Sequence, residues 1–395
     1  MVAPTDHIDE GLRKWATVRQ AEIMDAVAAH GSVAAAARAL GISLRGTRRS
    51  IEALRKKGAM QGIAPEADYT HEIPDPLVMR GVSTLYGPSG EIKLQWVKSQ
   101  LDKTLAREAI EEWVSWLVQD AKGLAPAVPP PAISNDDLLA VYPMGDPHVG
   151  MYAWGLETGD DFDLEIAERH IMGAIDRLVT SAPNAATAVI AELGDFFHAD
   201  NKDSRTPQSG HALDTDTRWP KVMQVGLRAM IYVIRRALEK HRLVVVRVVS
   251  GNHDPHSSFA LALALDAYFH LEPRVKVDLS PSPFWYYRFG KVLIGVTHGD
   301  TCKPERLPGI MAADRAEDWG LTKHRYWYTG HVHHTSKREF PGVVQESFRT
   351  LAAKDAWHTG AGYRSGRDMH AIVLHREHGE RERHICNVGM LEKAA

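Results

Sequence analysis

The sequence predicts an α/β protein with two β-sheets, preceded by a small helical domain. From Leu138 onward, apolar runs typical of strands alternate with helical stretches, which is the pattern of an α/β domain. Beyond about residue 340 strand-like runs dominate, so a second, more antiparallel sheet packed on the first is the simplest account. Before Gly123 the pattern is mainly helical, and a proline-rich segment separates the two parts.

Length and composition limit the classes of protein to consider. A chain of 395 residues with 44% hydrophobic and 25% charged residues is typical of a soluble protein of two or three domains. No apolar run is long enough to cross a membrane, and the first residues lack a secretory signal, so we expect a cytoplasmic protein. The cysteines, Cys302 and Cys386, form no CxxC pair, which argues against a disulfide framework or a thiolate zinc site.

Domain boundaries follow from the segment GLAPAVPPPAISNDD at residues 123–137, whose four prolines favour an extended, semi-rigid linker. We expect a helix-turn-helix domain at 1–62, a hairpin and an amphipathic helix at 63–123, the linker at 124–137 and the catalytic domain at 138–395. The hairpin would join Val82–Tyr86 to Glu91–Val97 around GPSG. The helix Arg107–Gln119 would bury its apolar side chains as core.

The N-terminal part has the pattern of three short helices. Ala21–Ala29 is amphipathic, and Ser32 would cap a second, alanine-rich helix over Val33–Leu40. Gly41 would supply the tight turn, and Ser43 would cap a third helix that ends near Lys57. The run SVAAAARALGIS followed by a basic helix resembles the helix-turn-helix of transcriptional regulators and of phage packaging or repair proteins.

Basic residues dominate the third helix. They are Arg45, Arg48, Arg49, Arg55, Lys56 and Lys57, against the single acid Glu52. One hypothesis is binding to duplex DNA, with the first three near the groove, the last three on phosphates and the hairpin as a wing. The alternative is a three-helix module whose basic face is solvated or contacts another protein. The net charge of −3 argues only against a basic coat over the whole protein.

Polar clusters follow five of the apolar runs, and most of the 21 histidines lie after residue 140. The clusters are Gly145–His148, Gly194–His198, Gly251–Asp254, Thr297–Asp300 and Gly330–His334. Carboxyl ends of strands in an open α/β sheet converge on one crevice, so these clusters are expected to form one site. Glycine before four of the clusters would let the backbone turn sharply and bring the next side chain close to an ion.

The clusters supply seven candidate metal ligands, namely Asp146, His148, Asp195, Asn252, His298, His331 and His333. Carboxylate, amide and imidazole donors favour Mn²⁺, Fe or Zn²⁺ over Ca²⁺. Seven ligands exceed the need of one ion, so the set predicts two divalent ions about 3.5–4 Å apart, with one carboxylate shared. Mn²⁺ is the first choice, with Fe, Zn²⁺ or Mg²⁺ as the other candidates.

The series D-x-H, G-D-x-x-H, G-N-H-D, H and G-H-x-H is similar to that of the calcineurin-like metallophosphoesterase superfamily, and it spans residues 140–335. The resemblance implies a two-sheet sandwich between helices, in α-β-β-α layers. It assigns Asp146, His148 and His333 to one ion. It assigns Asn252, His298 and His331 to the other ion, with Asp195 bridging the two. The spacing in His331–His334 favours His331 and His333 as ligands and leaves His334 as a neighbour.

Three further residues are candidates for catalysis. His253 would supply a proton or a positive charge to the leaving group, and Asp254 would orient its other ring nitrogen or serve only as a structural contact. GDFFH resembles the double-strand-break-repair nucleases of the superfamily, which implies that His198 helps to orient the phosphate. The alternative for His198 is a ring packed under the metal shell.

A polar segment at 199–219 follows His198 and would form a loop over the crevice, where Arg205, His211 and Arg218 could meet phosphates. This segment does not match the repair nucleases. Three functions therefore remain: a DNA nuclease or phosphodiesterase delivered to duplex by its helix-turn-helix, a phosphatase or phosphodiesterase acting on small nucleotides, and a DNA-binding regulator with an inert phosphoesterase fold.

Overall fold

A computed structural model describes residues 8–60, 63–64, 69–70, 77–86, 92–101, 122–207 and 209–391. The chain divides into two compact units, Met1–Glu108 and Ala109–Ala395. The expected helix Arg107–Gln119 and the GPSG turn lie outside the described residues. The domain boundaries expected at residues 62, 123 and 137 stay predictions.

Three helices form the N-terminal unit's core, after a 3₁₀ helix at Glu10–Trp15. They are α1 (Val18–His30), α2 (Val33–Ala39) and α3 (Leu44–Met60). The expected caps are present: the Ser32 hydroxyl accepts from the Ala35 N–H at 3.2 Å, and the Ser43 hydroxyl from the Gly46 N–H at 3.1 Å. Gly41 makes the turn with φ +65°, a left-handed conformation that costs glycine little.

The strands of this unit form two antiparallel pairs. They are β1 (Ile63–Ala64) with β2 (Tyr69–Thr70), and β3 (Leu77–Tyr86) with β4 (Ile92–Leu101). The second pair is the expected hairpin, with strands longer than the sequence pattern indicated. Helix α3 contacts both β1 and β3. Whether the hairpin acts as a wing on nucleic acid stays a prediction.

A six-stranded sheet is the larger of the two sheets in the C-terminal unit, with strand order β15-β14-β5-β6-β7-β8. Its strands are β5 (Asn135–Met144), β6 (Ala185–Glu192), β7 (Leu243–Val248), β8 (Val275–Asp278), β14 (Asp368–His375) and β15 (Gly379–Asn387). The strands from β5 to β8 are parallel, and β14 is antiparallel to both of its neighbours.

The second sheet has five strands in the order β12-β13-β11-β10-β9. They are β9 (Trp285–Phe289), β10 (Val292–Val296), β11 (His324–Thr329), β12 (Ser336–Phe340) and β13 (Val343–Ser347). The three central strands are parallel, and the two edge strands are antiparallel to them.

Helices cover the outer faces of both sheets, so the expected α-β-β-α layers are observed. The helices are α4 (Gly155–Thr158), α5 (Leu164–Ser181), α6 (Trp219–Leu238), α7 (Ser257–Tyr268), α8 (Leu307–Asp314), α9 (Ala316–Leu321) and α10 (Ala356–Gly360). Alternation along β5 explains the layering: Ala140 and Tyr142 face the helices, and Leu139 and Val141 face the other sheet.

The division of strands between the two sheets differs from the sequence expectation. Strands β14 and β15 join the first sheet, and β10 and β11 belong to the second. Strand β14 lies inside the first sheet because it is apolar on both faces, with Ala371 and Val373 toward the helices and Ile372 and Leu374 toward the other sheet. Strands β8, β9 and β12 were missed because they lie at sheet edges, where short or polar sequences are normal.

The proline-rich segment lies against the C-terminal unit. The Gly123 N–H donates to the Ala267 carbonyl at 2.9 Å, and Arg274 donates to the Val128 carbonyl at 2.6 Å. Strand β5 begins at Asn135, three residues before the apolar run that predicted it. Among the described residues, no helix combines the length and the apolar character that a membrane crossing requires.

Candidate metal centre

The candidate ligands lie at the carboxyl ends of parallel strands from both sheets. Asp146, Asp195 and Asn252 follow β5, β6 and β7 of the first sheet, and His298 and His331 follow β10 and β11 of the second. The sequence placed all five strand ends in one sheet. The two sheets instead bring their carboxyl ends to the same edge of the sandwich, so the clusters still meet.

Left-handed backbone is concentrated at these ligands. Six described residues other than glycine have a positive φ, and five of them are candidate ligands. They are Asp146 (φ 44°), His148 (45°), Asp195 (53°), His331 (67°) and His333 (53°). This conformation costs a residue with a Cβ about 1–2 kcal/mol. Strain repeated at five neighbouring ligand positions is typical of a functional site, where the surrounding fold holds residues in unfavourable conformations.

Two glycines permit the close approach of the ligand loops. A Cβ on Gly194, whose φ is +98°, would overlap the ring of His298. A Cβ on Gly251 would overlap the backbone nitrogen and carboxylate of Asp195. Both positions therefore require glycine for contact with a ligand residue, as the sequence pattern indicated.

A first cluster combines Asp146, His148 and His333, whose ligand atoms lie within 4.8 Å of one another. Nε2 of His148 lies 3.1 Å from Nε2 of His333, and Oδ1 of Asp146 lies 3.7 Å from the same His333 nitrogen. The Asp146 carboxylate also accepts the N–H of His331 at 2.8 Å, which ties it to the neighbouring loop. These are the three residues that the family resemblance assigned to one ion.

A second cluster combines Asp195, His298 and His331 at the same mutual spacing. Nε2 of His298 lies 3.2 Å from Oδ2 of Asp195 and 3.0 Å from Oδ1 of Asn252, so the amide joins this cluster. The Leu193 carbonyl accepts from Nδ1 of His298 at 2.9 Å, which fixes the ring and leaves Nε2 for a ligand bond. Asp195 lies with this cluster, and its bridging role stays a prediction.

Burial keeps the rings of the first cluster neutral. Burial, reinforced by neighbouring histidines, lowers the pKa of His333 to about 3 and holds the pKa of His148 well below its usual range. A neutral imidazole has a free lone pair, which is the form that binds a metal. The donor set of neutral imidazole nitrogens, carboxylates and one amide oxygen thus fits divalent cations of intermediate hardness.

In the second cluster, burial lowers the pKa of His331 as well, but His298 has the opposite electrostatic bias. Burial disfavours a charged His298, but the adjoining Asp195 and Asp146 carboxylates raise its pKa to about 10. Burial and the charge of Asp195 raise the pKa of Asp146 to about 7. Without a cation, His298 thus holds a proton between two carboxylates, at the position where the second cluster would hold an ion.

His253 lies beside both clusters, but its orienting partner differs from the expected one. Its backbone N–H donates to Oδ1 of Asp195 at 2.8 Å, and its ring Nδ1 donates to the His198 carbonyl at 2.8 Å. The Asp254 carboxylate instead accepts the backbone N–H groups of Phe197 and Gly251 at 3.0 and 3.1 Å. These contacts favour the structural alternative for Asp254, because its carboxylate holds two ligand loops together and Nδ1 of His253 is bonded to the His198 carbonyl.

His198 is fully buried behind the first cluster. Its Nδ1 lies 3.2 Å from Nδ1 of His148, and its ring stacks on that of His253 with centroids 5.3 Å apart. Burial, with the adjacent His253, lowers its pKa to about 3. These contacts favour the packed alternative over direct contact with a substrate phosphate. Direct assistance by His198 stays a prediction.

Sequence reasoning missed Glu192, a buried carboxylate between the loops that carry Asp195 and Asn252. It accepts the Gly194 N–H at 2.9 Å and the Val249 N–H at 3.2 Å. Burial, together with the charge of Asp254, raises its pKa well above the usual range. The only available signal was an acidic residue at the end of an otherwise apolar strand, which is unfavourable unless the residue has partners.

Asp355 and His358 were also missed, although they lie against the first cluster. The His358 ring stacks on His333 with centroids 4.9 Å apart, and its Nδ1 lies 2.7 Å from Oδ1 of Asp355. Burial opposes the charge on Asp355, but the hydrogen bond and charge of His358 lower its pKa to about 2. The segment LAAKDAWHTG has no strand-end motif, so this position could not be predicted from the sequence.

The loop at 199–218 packs along the chain that follows the first cluster, since Asp216 N–H donates to the Gly150 carbonyl at 3.0 Å. Arg205, His211 and Arg218 are exposed, and Arg205 donates to the Gly210 carbonyl within its own loop at 2.8 Å. Among the contacts of the described residues, none joins these three side chains to either cluster. Their contact with phosphate stays a prediction.

The basic helix α3 presents Arg45, Arg48, Arg49 and Lys56 to solvent. The first three line one surface concavity with Leu44 and Glu52. Lys57 is exposed but donates to the Trp15 carbonyl at 2.8 Å, and Arg55 is half-buried. Lys57 is therefore partly engaged within the unit, and Arg55 is less exposed to solvent than the other basic residues of α3, which makes both weaker candidates for phosphate contacts than the sequence suggested.

No protein-family model matches the chain, and no curated protein matches it. Among solved structures, it is similar to Vacuolar Protein Sorting 29 from Cryptosporidium parvum, with 11% identity, 64% of this chain and 100% of that chain covered, and a TM-score of 0.31. A predicted phosphoesterase from Streptococcus pneumoniae matches at 11% identity, with 63% and 98% covered and a TM-score of 0.26.

Vps29 from Entamoeba histolytica, in complex with zinc, also matches at 11% identity, with 63% and 98% covered and a TM-score of 0.25. Similarity at this identity and TM-score says nothing about the activity of this chain.

Proposed function

We propose that the protein is a metal-dependent phosphodiesterase that acts on DNA and uses two divalent ions. The observation that supports it best is the pair of ligand clusters, in which five candidate ligands have left-handed backbone. Side chains held at this cost, with their rings kept neutral by burial, favour a working metal site over an inert remnant of one.

The proposed roles follow the two clusters. Asp146, His148 and His333 would hold one ion, Asn252, His298 and His331 would hold the other, and Asp195 would bridge them. Two such ions, Mn²⁺ by preference, would lower the pKa of a water and offset the charge of the phosphate oxygens. The Glu192 and Asp254 carboxylates hold the ligand loops through backbone N–H groups, which keeps the donors in position before an ion binds.

His253 is the proposed source of a proton for the leaving group. Because the His198 carbonyl can only accept a hydrogen bond, Nδ1 of His253 carries a proton. Nε2 is then the ring nitrogen available to the substrate, and it would donate to the leaving oxygen from the doubly protonated ring, which keeps its Nδ1 proton. The backbone N–H of His253 donates to Asp195, which holds this residue next to the proposed bridge, and the bond from Nδ1 orients the ring.

DNA is the proposed substrate because the same chain carries the exposed basic side chains of α3. Arg45, Arg48 and Arg49 line one surface, which suits the negative charge of a nucleic-acid backbone. A phosphodiester site and a basic helix in one chain favour a polymer substrate over a small nucleotide. In this proposal the N-terminal unit supplies affinity for DNA, and the clusters supply the chemistry.

The test is hydrolysis by the full chain with added Mn²⁺. The substrates are labelled single-stranded and duplex DNA, bis-p-nitrophenyl phosphate and p-nitrophenyl phosphate. We expect cleavage of DNA and of the diester, and no cleavage after removal of the ion by a chelator.

Cleavage of the monoester alone, with DNA intact, would show a phosphatase and contradict the proposal. The control is the Asp195→Ala variant, which removes the proposed bridge. Hydrolysis of nothing by the parent, with DNA binding equal in parent and variant, would instead support an inert regulator.

A further inference from the structure

Aromatic rings run without a break from the first cluster to the protein surface. His358 stacks on the candidate ligand His333, and Tyr363 meets His358 edge-on with centroids 5.0 Å apart. Trp357 also meets His358 edge-on at 5.0 Å and lies 5.9 Å from Tyr363. We call Trp357, His358 and Tyr363 the aromatic platform. Its outermost member, Trp357, is 61% exposed.

A second set of exposed apolar side chains adjoins the platform. Helix α10, which carries Trp357 and His358, contacts the short helix α4. Trp154 immediately precedes α4 and is 52% exposed, and Tyr152 is 45% exposed. Exposed tryptophan on two touching segments beside a candidate metal centre is unfavourable in water, so it indicates a surface that a ligand covers.

The charges near the platform favour an anionic ligand with aromatic groups. Arg364, next to Tyr363, is exposed, and its Nη1 donates to the carbonyls of Thr359 and Tyr363. Two of the nearby acids are already used within the protein, since Asp160 pairs with Lys354 at 3.5 Å and Asp161 accepts the Gly155 N–H at 2.6 Å, whereas Glu157 on α4 is exposed. A guanidinium beside exposed rings suits a phosphate attached to an aromatic base.

The occupant follows from continuity with the metal centre. Because His358 contacts His333 directly, a group on the platform would lie beside a phosphate held at the clusters. Bases are the aromatic groups next to the phosphates of DNA, but in a duplex their faces are stacked on one another. A base can stack on a protein ring only when it is unpaired.

We propose that the aromatic platform, extended by Trp154, stacks against unpaired bases of single-stranded DNA that flank the phosphodiester at the metal centre. The inference rests on the proposed phosphodiesterase function and names its substrate class. Two exposed tryptophans on adjoining segments offer room for more than one base, which favours a strand over a single nucleotide. His358 is a positioning residue here, since it joins the platform to His333.

The test is equilibrium binding of fluorescent strands by the full chain, in chelator and at fixed salt, so that no hydrolysis is needed. One strand is a single-stranded oligonucleotide, and the other has the same length and phosphates but abasic residues throughout. We expect the parent to prefer the base-bearing strand. Trp357→Ala should reduce this preference, measured as the ratio of the two Kd values, by on the order of tenfold.

The matched variants separate stacking from loss of structure. Trp357→Phe keeps an aromatic face and should retain most of the preference. Leu271→Ala removes another exposed apolar side chain, outside the platform, and should leave the ratio at the parental value. Circular dichroism on each variant checks that the fold is kept.

Three results would overturn the proposal. They are equal binding of base-bearing and abasic strands by the parent, equal weakening of both strands by Trp357→Ala, and competition by a dinucleotide as strong as that of the strand. Failure of the proposed function is seen separately. If the Trp357-dependent preference is present but no cation supports cleavage, the stacking surface stands and the phosphodiesterase proposal fails.

Discussion

The two ligand clusters and the basic helix α3 were both found by sequence motifs, but the structure distinguishes them sharply. At the clusters, Asp146, His148, Asp195 and His298 are almost fully buried, and three of these four have left-handed backbone. On α3, Arg45, Arg48 and Arg49 are exposed on an ordinary helix. The left-handed backbone at the clusters costs conformational free energy and is typical of a functional site, whereas an exposed basic helical surface has no such cost and is common.

The comparison shows where physical evidence for function can be found. A buried ionisable residue must be stabilised by partners, so its contacts limit the roles that it can have. An exposed arginine has no such constraint, and its role depends on a partner that the chain alone does not define. Experiments on the clusters should therefore give large, specific losses, and experiments on α3 should give smaller, salt-dependent ones.

The largest effect is expected for Asp195→Asn. This change keeps the shape of the side chain but removes the charge next to His298 and the proposed bridge between the ions. We expect hydrolysis of any accepted phosphoester to fall on the order of a thousandfold or more. Steady-state kinetics with Mn²⁺ measure it, and Asp136→Asn, an exposed carboxylate at the start of β5, is the control. Activity within tenfold of the parent would contradict a metal role for Asp195.

A second prediction concerns the glycines that allow the ligand loops to meet. Gly251→Ala places a methyl group against Asp195 and should displace that ligand, with a loss of activity of roughly a hundredfold. Gly309→Ala is the control, because a Cβ there meets no atom within 4 Å. Kinetics and thermal unfolding of both variants measure the effect. Equal behaviour of the two variants would show that the approach at Gly251 is not needed.

Much of the fold could be predicted because periodicity reports burial. Runs such as Val292–Val296 are apolar on every residue, and the structure has a strand with those same bounds. Pairing between strands was not predictable from the same signal. Strands β14 and β11 are both apolar on two faces, so nothing local indicates that one joins the first sheet and the other the second.

The candidate site was predictable only where a residue lies in a strand-end motif. The seven candidate ligands do, and the structure brings them into two adjoining clusters. Glu192, Asp355 and His358 do not, because their positions depend on contacts between segments far apart in the chain. Asp254 shows the converse limit: its neighbour in sequence, His253, suggested a pair, but its carboxylate turns toward Phe197 and Gly251 instead.

A third prediction tests α3 with the triple variant Arg45→Ala, Arg48→Ala, Arg49→Ala. If these arginines contact phosphates, DNA affinity should fall roughly tenfold or more, and the salt slope of log Kd should decrease by up to about 3. Hydrolysis of bis-p-nitrophenyl phosphate should be the same as in the parent, since that substrate is too small to use the helix. Arg38→Ala, an exposed arginine on α2, is the control. Unchanged DNA binding and salt slope would favour the solvated or protein-binding alternative.

The smallest effect expected is a difference between the two clusters in the pH dependence of ion binding. A proton on His298, whose pKa the nearby carboxylates raise to about 10, competes with an ion at the second cluster. At the first cluster the competing proton is on Asp146, whose pKa lies at about 7, while His333 stays neutral down to about pH 3. From pH 7 to 9, affinity for the ion at the second cluster should therefore rise by up to tenfold per pH unit. Affinity for the ion at the first cluster should level off over the same range.

The sign of the accompanying stability change checks this assignment. Since the pKa of His298 is raised in the folded protein, its contribution is fully present below its unfolded value near 6.5 and is lost as pH rises toward 10. Protein in chelator should thus become less stable between pH 7 and 9, while Mn²⁺ should stabilise it more strongly over the same range. Mn²⁺ titrations and thermal unfolding at several pH values measure both trends, with His334→Gln, an exposed histidine outside both clusters, as the control. Two ions with the same pH dependence would contradict the electrostatic difference between the clusters, because that difference depends on the proton that Asp195 and Asp146 stabilise on His298.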